Sequence, residues 1–154
     1  MQIAELQVTE REIDLRAPFV TALRSVSSYP VIEVRCLLTD GRIGIGDCVA
    51  TPAITGDSHE GILADLDSSV LKELSSREYQ SESELHDAIA TSGLLPSARS
   101  ALDIALFDAY SSIKSVKVAS DVTIPICTDD EFEKIFAQRR AAGFTAFKLS
   151  LIHI

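Results

Sequence analysis

After residue 117 the chain changes its hydrophobic period in a way that few folds accommodate. Val122-Thr123-Ile124-Pro125-Ile126 reads as a short buried strand, and a helix capped from Thr128 or Asp129 follows, burying Phe132, Ile135, Phe136 and Ala137. Gly143 ends that helix, and Phe144 to Leu149 return as a strand. Strand, helix, glycine, strand is a βαβ unit, and its two strands neighbour each other only in a parallel sheet. Two parallel strands with one crossover helix cannot close a core, so this segment needs further strands to complete it.

Upstream the pattern belongs to a different kind of layer. Leu6 and Val8 share one face of a strand, Ile13 and Leu15 another, and Pro18 ends the run. Residues 17–29 follow neither period and read as a loop, although Phe19, Leu23 and Val26 make it too apolar for disorder. Ile32, Val34, Cys36 and Leu38 then alternate with polar residues up to an Asp40-Gly41 turn, and Ile43 and Ile45 resume the alternation. Gly44 and Gly46 leave room for another element to approach closely. These runs predict a three-stranded antiparallel sheet with one apolar face.

A loop at 51–58 precedes a helix capped by Asp57 or Ser58, with Ile62, Leu63, Leu66, Val70, Leu71 and Leu74 as its apolar positions. A second helix is predicted over 81–92. A third spans 96–114, opened by Pro96, with Ala98, Leu102, Ala105, Leu106, Ala109 and Ile113 in helical spacing. Ile104 and Phe107 widen its apolar face, and its alanines suit close packing against other helices. Asp103 and Asp108 read as surface or interhelix polar groups.

Composition excludes several functions. A net charge of −9 with no basic patch argues against a nucleic-acid partner. No apolar run approaches the ~20 residues of a membrane span, and Met1-Gln2-Ile3-Ala4-Glu5 lacks the pattern of a secretory signal. Cys36, Cys48 and Cys127 are odd in number and widely spaced, which fits a reducing compartment and neither a disulfide framework nor a zinc site. The expectation is a soluble cytoplasmic protein.

Four pieces carry a family likeness, in order along the chain. They are Ala17-Pro18-Phe19-Val20-Thr21-Ala22-Leu23-Arg24, Ile54-Thr55-Gly56-Asp57-Ser58, Ala101-Leu102-Asp103-Ile104-Ala105-Leu106-Phe107-Asp108 and Gly143-Phe144-Thr145-Ala146-Phe147-Lys148. Together they resemble the mandelate racemase/muconate lactonizing group of the enolase superfamily, and within it the dipeptide epimerases typified by L-Ala-D/L-Glu epimerase. The resemblance implies an α+β capping domain, a three-stranded antiparallel sheet plus helices, followed by the first βαβ of a truncated (β/α) barrel. Residues 1–117 would be the cap, 118–148 the start of the barrel, and 149–154 a non-native tail.

The same resemblance implies the site. Phe19 and Ile54 would line the substrate pocket from two cap loops, and Arg24 would offer its planar fork to a substrate carboxylate. Thr123 would contact the bound dipeptide. Lys148 matches the first lysine of a lysine-x-lysine motif at the end of the second barrel strand. The implied chemistry is abstraction of the proton α to a carboxylate, with Mg2+ stabilising the enediolate in the full-length enzyme. The first lysine assists electrostatically and the second is the base. Without the resemblance each residue has a plainer reading. Arg24 and Lys148 would be solvated charges, Phe19 and Ile54 ordinary packing, and Thr123 a β-former.

The sequence departs from the family in three respects. Ser150 stands where the base lysine is expected, and a hydroxyl cannot act as that base unaided. The expected metal carboxylates and the opposite-face lysine belong to later strands, so no residue of this chain is assigned to metal and the fragment itself is expected to bind no Mg2+ and to be inactive. The link from Ser111 to Ser120 is short, lacking the usual proline, leucines and paired glycines. Leu149 to Ile154 is also what CTG TCT CTT ATA CAC ATC encodes, the end sequence used by transposase-based library kits, which is why the tail is read as non-native. Two further readings are a muconate cycloisomerase or o-succinylbenzoate synthase fragment, and a standalone binding cap; self-association is left open.

Overall fold

The computed structural model describes residues 2–20, 25–111 and 117–149. These described residues form five strands, β1 (Ile3–Val20), β2 (Ser25–Leu38), β3 (Ile43–Val49), β4 (Val122–Ile124) and β5 (Phe147–Leu149), and six helices. The helices are α1 (Pro52–Thr55), α2 (His59–Leu66), α3 (Ser69–Ser76), α4 (Glu82–Ala90), α5 (Pro96–Tyr110) and α6 (Asp129–Ala141). The chain divides into two compact units. One comprises residues 1–13 and 30–114, the other 14–29 and 115–154. No described helix is long and apolar enough to cross a membrane.

The first unit is built on a sheet of order β1-β2-β3 covered on one face by helices. β2 and β3 pair antiparallel with Val34 opposite Gly46 and Cys36 opposite Gly44. Ile32, Val34, Cys36 and Leu38 are buried as their alternation predicts. On β3, however, Gly44 and Gly46 face inward, while Ile43 and Ile45 are each 45% exposed on the outer face. The reason is α5. A Cβ on Gly44 would stand 2.0 Å from the Ala105 carbonyl oxygen, and one on Gly46 2.0 Å from that of Ala101. Helix backbone thus lies directly on strand backbone, and the alanines of α5 meet this sheet. Ala101 completes the buried stripe, whereas Ile104 (48% exposed) and Phe107 (50%) lie outside it.

Both ends of α5 are tied. At its start the Asp57 carboxylate accepts from the Ser97 backbone N–H (2.9 Å) and hydroxyl (2.6 Å), and at its end Arg42 Nη1 donates to the Tyr110 carbonyl (2.9 Å). An anion at the N-terminus and a cation at the C-terminus both complement the helix dipole. Asp108 accepts the Ile45 N–H (3.1 Å), so it serves the free edge of β3.

Three other expectations are corrected. Residues 17–20 and 25–29 belong to β1 and β2, not to a loop. No residue of 17–20 or 25–29 is fully buried, so no core-facing stripe marks the strands there. Pro18 is tolerated because β1 is an edge strand, and Pro30 because it precedes the first β3 pairing, Val31 with Val49. The predicted helix over 62–74 is two helices. Asp67 closes α2, and the extended Ser68 opens α3 by accepting the Leu71 N–H. The 96–114 helix stops at Tyr110, and Ile113 lies outside the described residues.

The second unit holds the two-stranded parallel sheet β4-β5 with α6. Phe132, Ile135 and Phe136 are only half-buried, Ala137 is exposed, and α6 has no fully buried residue. Among the described residues of this unit only Ile124 belongs to the buried core, because two strands offer α6 too little surface to pack on.

Candidate functional site

Local signals in the sequence set the geometry of the second unit. Thr128 and Glu131 form a reciprocal capping box that starts α6, with the Thr128 side chain accepting the Glu131 N–H and the Glu131 carboxylate accepting the Thr128 N–H. The bonds that the exposed Glu131 carboxylate accepts from the Thr128 N–H and hydroxyl hold it below its ordinary pKa. Gly143, at φ +94, stops the helix. Its N–H and that of Phe144 donate to the Arg140 and Arg139 carbonyls, and the chain turns toward β5.

The β4-β5 register pairs Val122 with Phe147, Thr123 with Lys148 and Ile124 with Leu149. The Phe147 ring lies 4.8 Å from that of Phe136 on α6, so Phe147 marks the helix side of this sheet. Successive side chains alternate between faces, and register partners of a parallel pair share one. Thr123 and Lys148 therefore project together from the face opposite α6. In a barrel whose helices lie outside, that face is the interior. Lys148 is exposed and Thr123 half-buried.

Phe19, half-buried, lies near the end of β1, between Pro18 and Val20. Those two neighbours line a cleft of about 460 Å3 with Pro125, Ile126, Cys127 and Lys134, just beyond the C-terminal end of β4. Strand alternation turns Phe19 to the other side of β1 from them. Arg24 and Ser150 lie outside the described residues. Ile54 belongs to the first unit, on the one-turn helix α1, and is 77% exposed. The structure thus brings Thr123 and Lys148 together and sets Phe19 within the same unit.

Sequence reading missed the role of Asp57. It is the buried polar residue of the first unit, 3% exposed, and it caps α5 from 40 residues away, while Ser58 caps α2. The available signal was an acid directly after Gly56, together with a helix opened by Pro96 and Ser97 whose first amides need an acceptor. Among the described residues no three of His, Cys, Asp or Glu converge. Burial pushes the Cys36 thiol up to about 11. Cys48 is pushed to about 11 as well, by burial and by the charges of Asp47 and Asp57, so neither is a thiolate nucleophile at neutral pH.

Residues 3–129 match the family described as mandelate racemase / muconate lactonizing enzyme, N-terminal domain. The chain belongs to this family. Among curated relatives of this mandelate racemase-type domain is the L-Ala-D/L-Glu epimerase of Clostridium acetobutylicum, 24% identical over 98% of this chain and 46% of that protein. Another is the N-succinyl-L-Arg/Lys racemase of Bacillus cereus, 31% identical over 70% of this chain and 30% of that one. The dipeptide epimerase of Methylococcus capsulatus, solved with Mg and the dipeptide L-Arg-D-Lys, superposes with a TM-score of 0.85 at 27% identity, over 97% of this chain and 46% of its own. The likeness therefore takes in the capping fold and the β4-α6-β5 unit, and the chain spans less than half the length of these relatives.

Proposed function

We propose that these residues form the cap and the first two barrel strands of a longer enzyme that epimerises a dipeptide. The observation that carries the reading is the pairing of Thr123 with Lys148 on the face away from α6. Inverting an α-carbon requires its proton to leave and return, and negative charge then builds on the adjacent carboxylate oxygens. A lysine ammonium held on the barrel-interior face offers a positive charge to those oxygens as they gain it. The Thr123 hydroxyl can hydrogen-bond the peptide beside it. Phe19 and Ile54 shape the pocket from the cap, and Arg24 pairs with a substrate carboxylate.

Relatives named as epimerases and a racemase support this class of reaction, and the Methylococcus structure with Mg supports Mg2+ in the whole enzyme. Its ligands, the base and the opposite-face lysine would lie beyond Lys148, so the present chain alone is read as inactive. Leu149 to Ile154 remain proposed as a non-native tail.

The test begins with the genomic DNA past codon 148. A lysine codon two places on, followed by strands bearing Asp, Glu and Asp, is expected; a continuation without them refutes the reading. The full-length enzyme should exchange the α-proton of L-Ala-L-Glu with solvent deuterium, and Lys148→Ala should slow that exchange by about 10²–10³-fold, as loss of a charge-stabilising donor does. Turnover of a muconate or an o-succinylbenzoate precursor without dipeptide exchange assigns the enzyme to the cycloisomerase or synthase branch.

A further inference from the structure

We propose that Asp57 is a positioning residue for substrate selectivity. Its buried carboxylate pins the 51–57 loop to the start of α5 and thereby fixes where Ile54 stands. The inference rests on the reading of Ile54 as a pocket residue.

The loop has little else to hold it. Residues 52–56 are all exposed, and the hydrogen bonds of residues 51–56 stay within the loop among the described residues. Ile54 and Thr55 donate their N–H groups to the Thr51 carbonyl, and Gly56, at φ +81, donates to that of Pro52. The result is a single closed turn, too short to persist unless its ends are held. The first residue to leave it is Asp57, whose N–H donates to Thr55 Oγ1 (3.3 Å) while its carboxylate oxygen takes the two Ser97 donors at 2.9 and 2.6 Å. Charge-assisted bonds of this length, withdrawn from water, are strong and directional. The anchor, α5, is itself held, because its backbone lies against β3 and its far end is tied by Arg42. Ile54 thus inherits its position from α5 through one carboxylate.

A residue that only stabilised the fold would change melting behaviour without touching selectivity. The experiment therefore reads both. Amide hydrogen exchange of residues 54–56 is measured in the present chain for wild type, Asp57→Ala, Asp57→Asn and Ser97→Ala. The KM and kcat of the full-length enzyme are measured with L-Ala-L-Glu and L-Ala-L-Leu for Asp57→Ala, Asp57→Asn and Ile54→Ala.

Asp57→Ala is expected to speed exchange at 54–56 by about tenfold or more. It is also expected to narrow the ratio of kcat/KM between the two dipeptides through KM, with kcat within about twofold. Asp57→Asn, which keeps an acceptor oxygen, should restore part of both effects. Unchanged exchange in a folded Asp57→Ala protein overturns the proposal. So does faster exchange with unchanged selectivity while Ile54→Ala does alter KM; in that case the reading of Ile54 stands. If Ile54→Ala alters KM for neither dipeptide, the pocket reading itself fails and takes the proposal with it. Should Asp57→Ala not fold, Asp57→Asn and Ser97→Ala carry the same comparison at smaller amplitude.

Discussion

Replacing Gly46 by alanine tests the contact on which the cap is built. The added Cβ would meet the Ala101 carbonyl oxygen at 2.0 Å and the Ala105 nitrogen at 2.6 Å. An ordinary contact begins near 3.4 Å, so strand and helix must separate by 1.4 Å (3.4 less 2.0). Both obstructing atoms are backbone, so no rotamer change relieves them, and α5 cannot slide while Asp57 and Arg42 hold its ends. Overpacking of this kind costs about 1–3 kcal/mol, and a backbone clash belongs at the upper end. At about 3 kcal/mol a unit of roughly 100 residues, such as residues 1–13 and 30–114, loses roughly 12–24 °C in Tm. Urea denaturation followed by far-ultraviolet circular dichroism measures it. Ile45→Ala, on the same strand but half-exposed on the opposite face, should cost about 1 kcal/mol or less. The reasoning is refuted if Gly46→Ala lies within about 0.5 kcal/mol of wild type, or if Ala101→Gly, which leaves the obstructing carbonyl in place, rescues it.

Two titrations follow from the same structure. His86 Nδ1 lies 2.9 Å from an Asp103 oxygen, and that hydrogen bond and charge raise the His86 pKa. The stabilisation from this pair is complete below the unfolded value of ~6.5 and fades as pH rises through the higher folded value. Imidazole NMR shifts should report a raised midpoint that Asp103→Asn returns toward ~6.5; an unmoved midpoint in that variant would contradict the assignment. The Cys36 and Cys48 thiols, pushed up to about 11, lose their protons later than the unfolded chain does. Their contribution to stability is therefore full below the unfolded ~8.5 and is lost as pH climbs from there toward 11. Urea midpoints should fall less steeply over that range in a Cys36→Ala/Cys48→Ala variant, and an identical slope would count against buried neutral thiols.

How much of this was legible beforehand depended on whether burial or contact order along the chain did the deciding. The β2 stripe and the start of α6 at Thr128 or Asp129 could be read directly, because each rests on a local pattern. β3 could not. Its isoleucines look like the core face by hydrophobicity, yet α5 approaches so closely that only the glycines fit beneath it, and that distance is a tertiary fact. The extent of β1 and β2 was hidden for the converse reason, since stretches with no fully buried residue carry no core-facing stripe. Lys148 and Thr123 are proposed as site residues through family likeness, and their common face follows only from a register and from the Phe136–Phe147 contact. Asp57 was read as one of two local caps because its real partner, Ser97, is remote in sequence.

The pairing of β4 with β5 sets a rule for how this segment can vary in length. Thr123 and Lys148 face the same way only while the two strands stay in phase, and a one-residue slip would send the lysine to the helix side. Insertions or deletions within either strand would exchange the chemistry of the two faces while leaving the composition untouched. The exposed back of α6 and its connection to β5 can absorb change, since nothing there is fully buried. Changes in length should therefore be tolerated on the outside of the unit, and the strands themselves act as a counting device for the lysine.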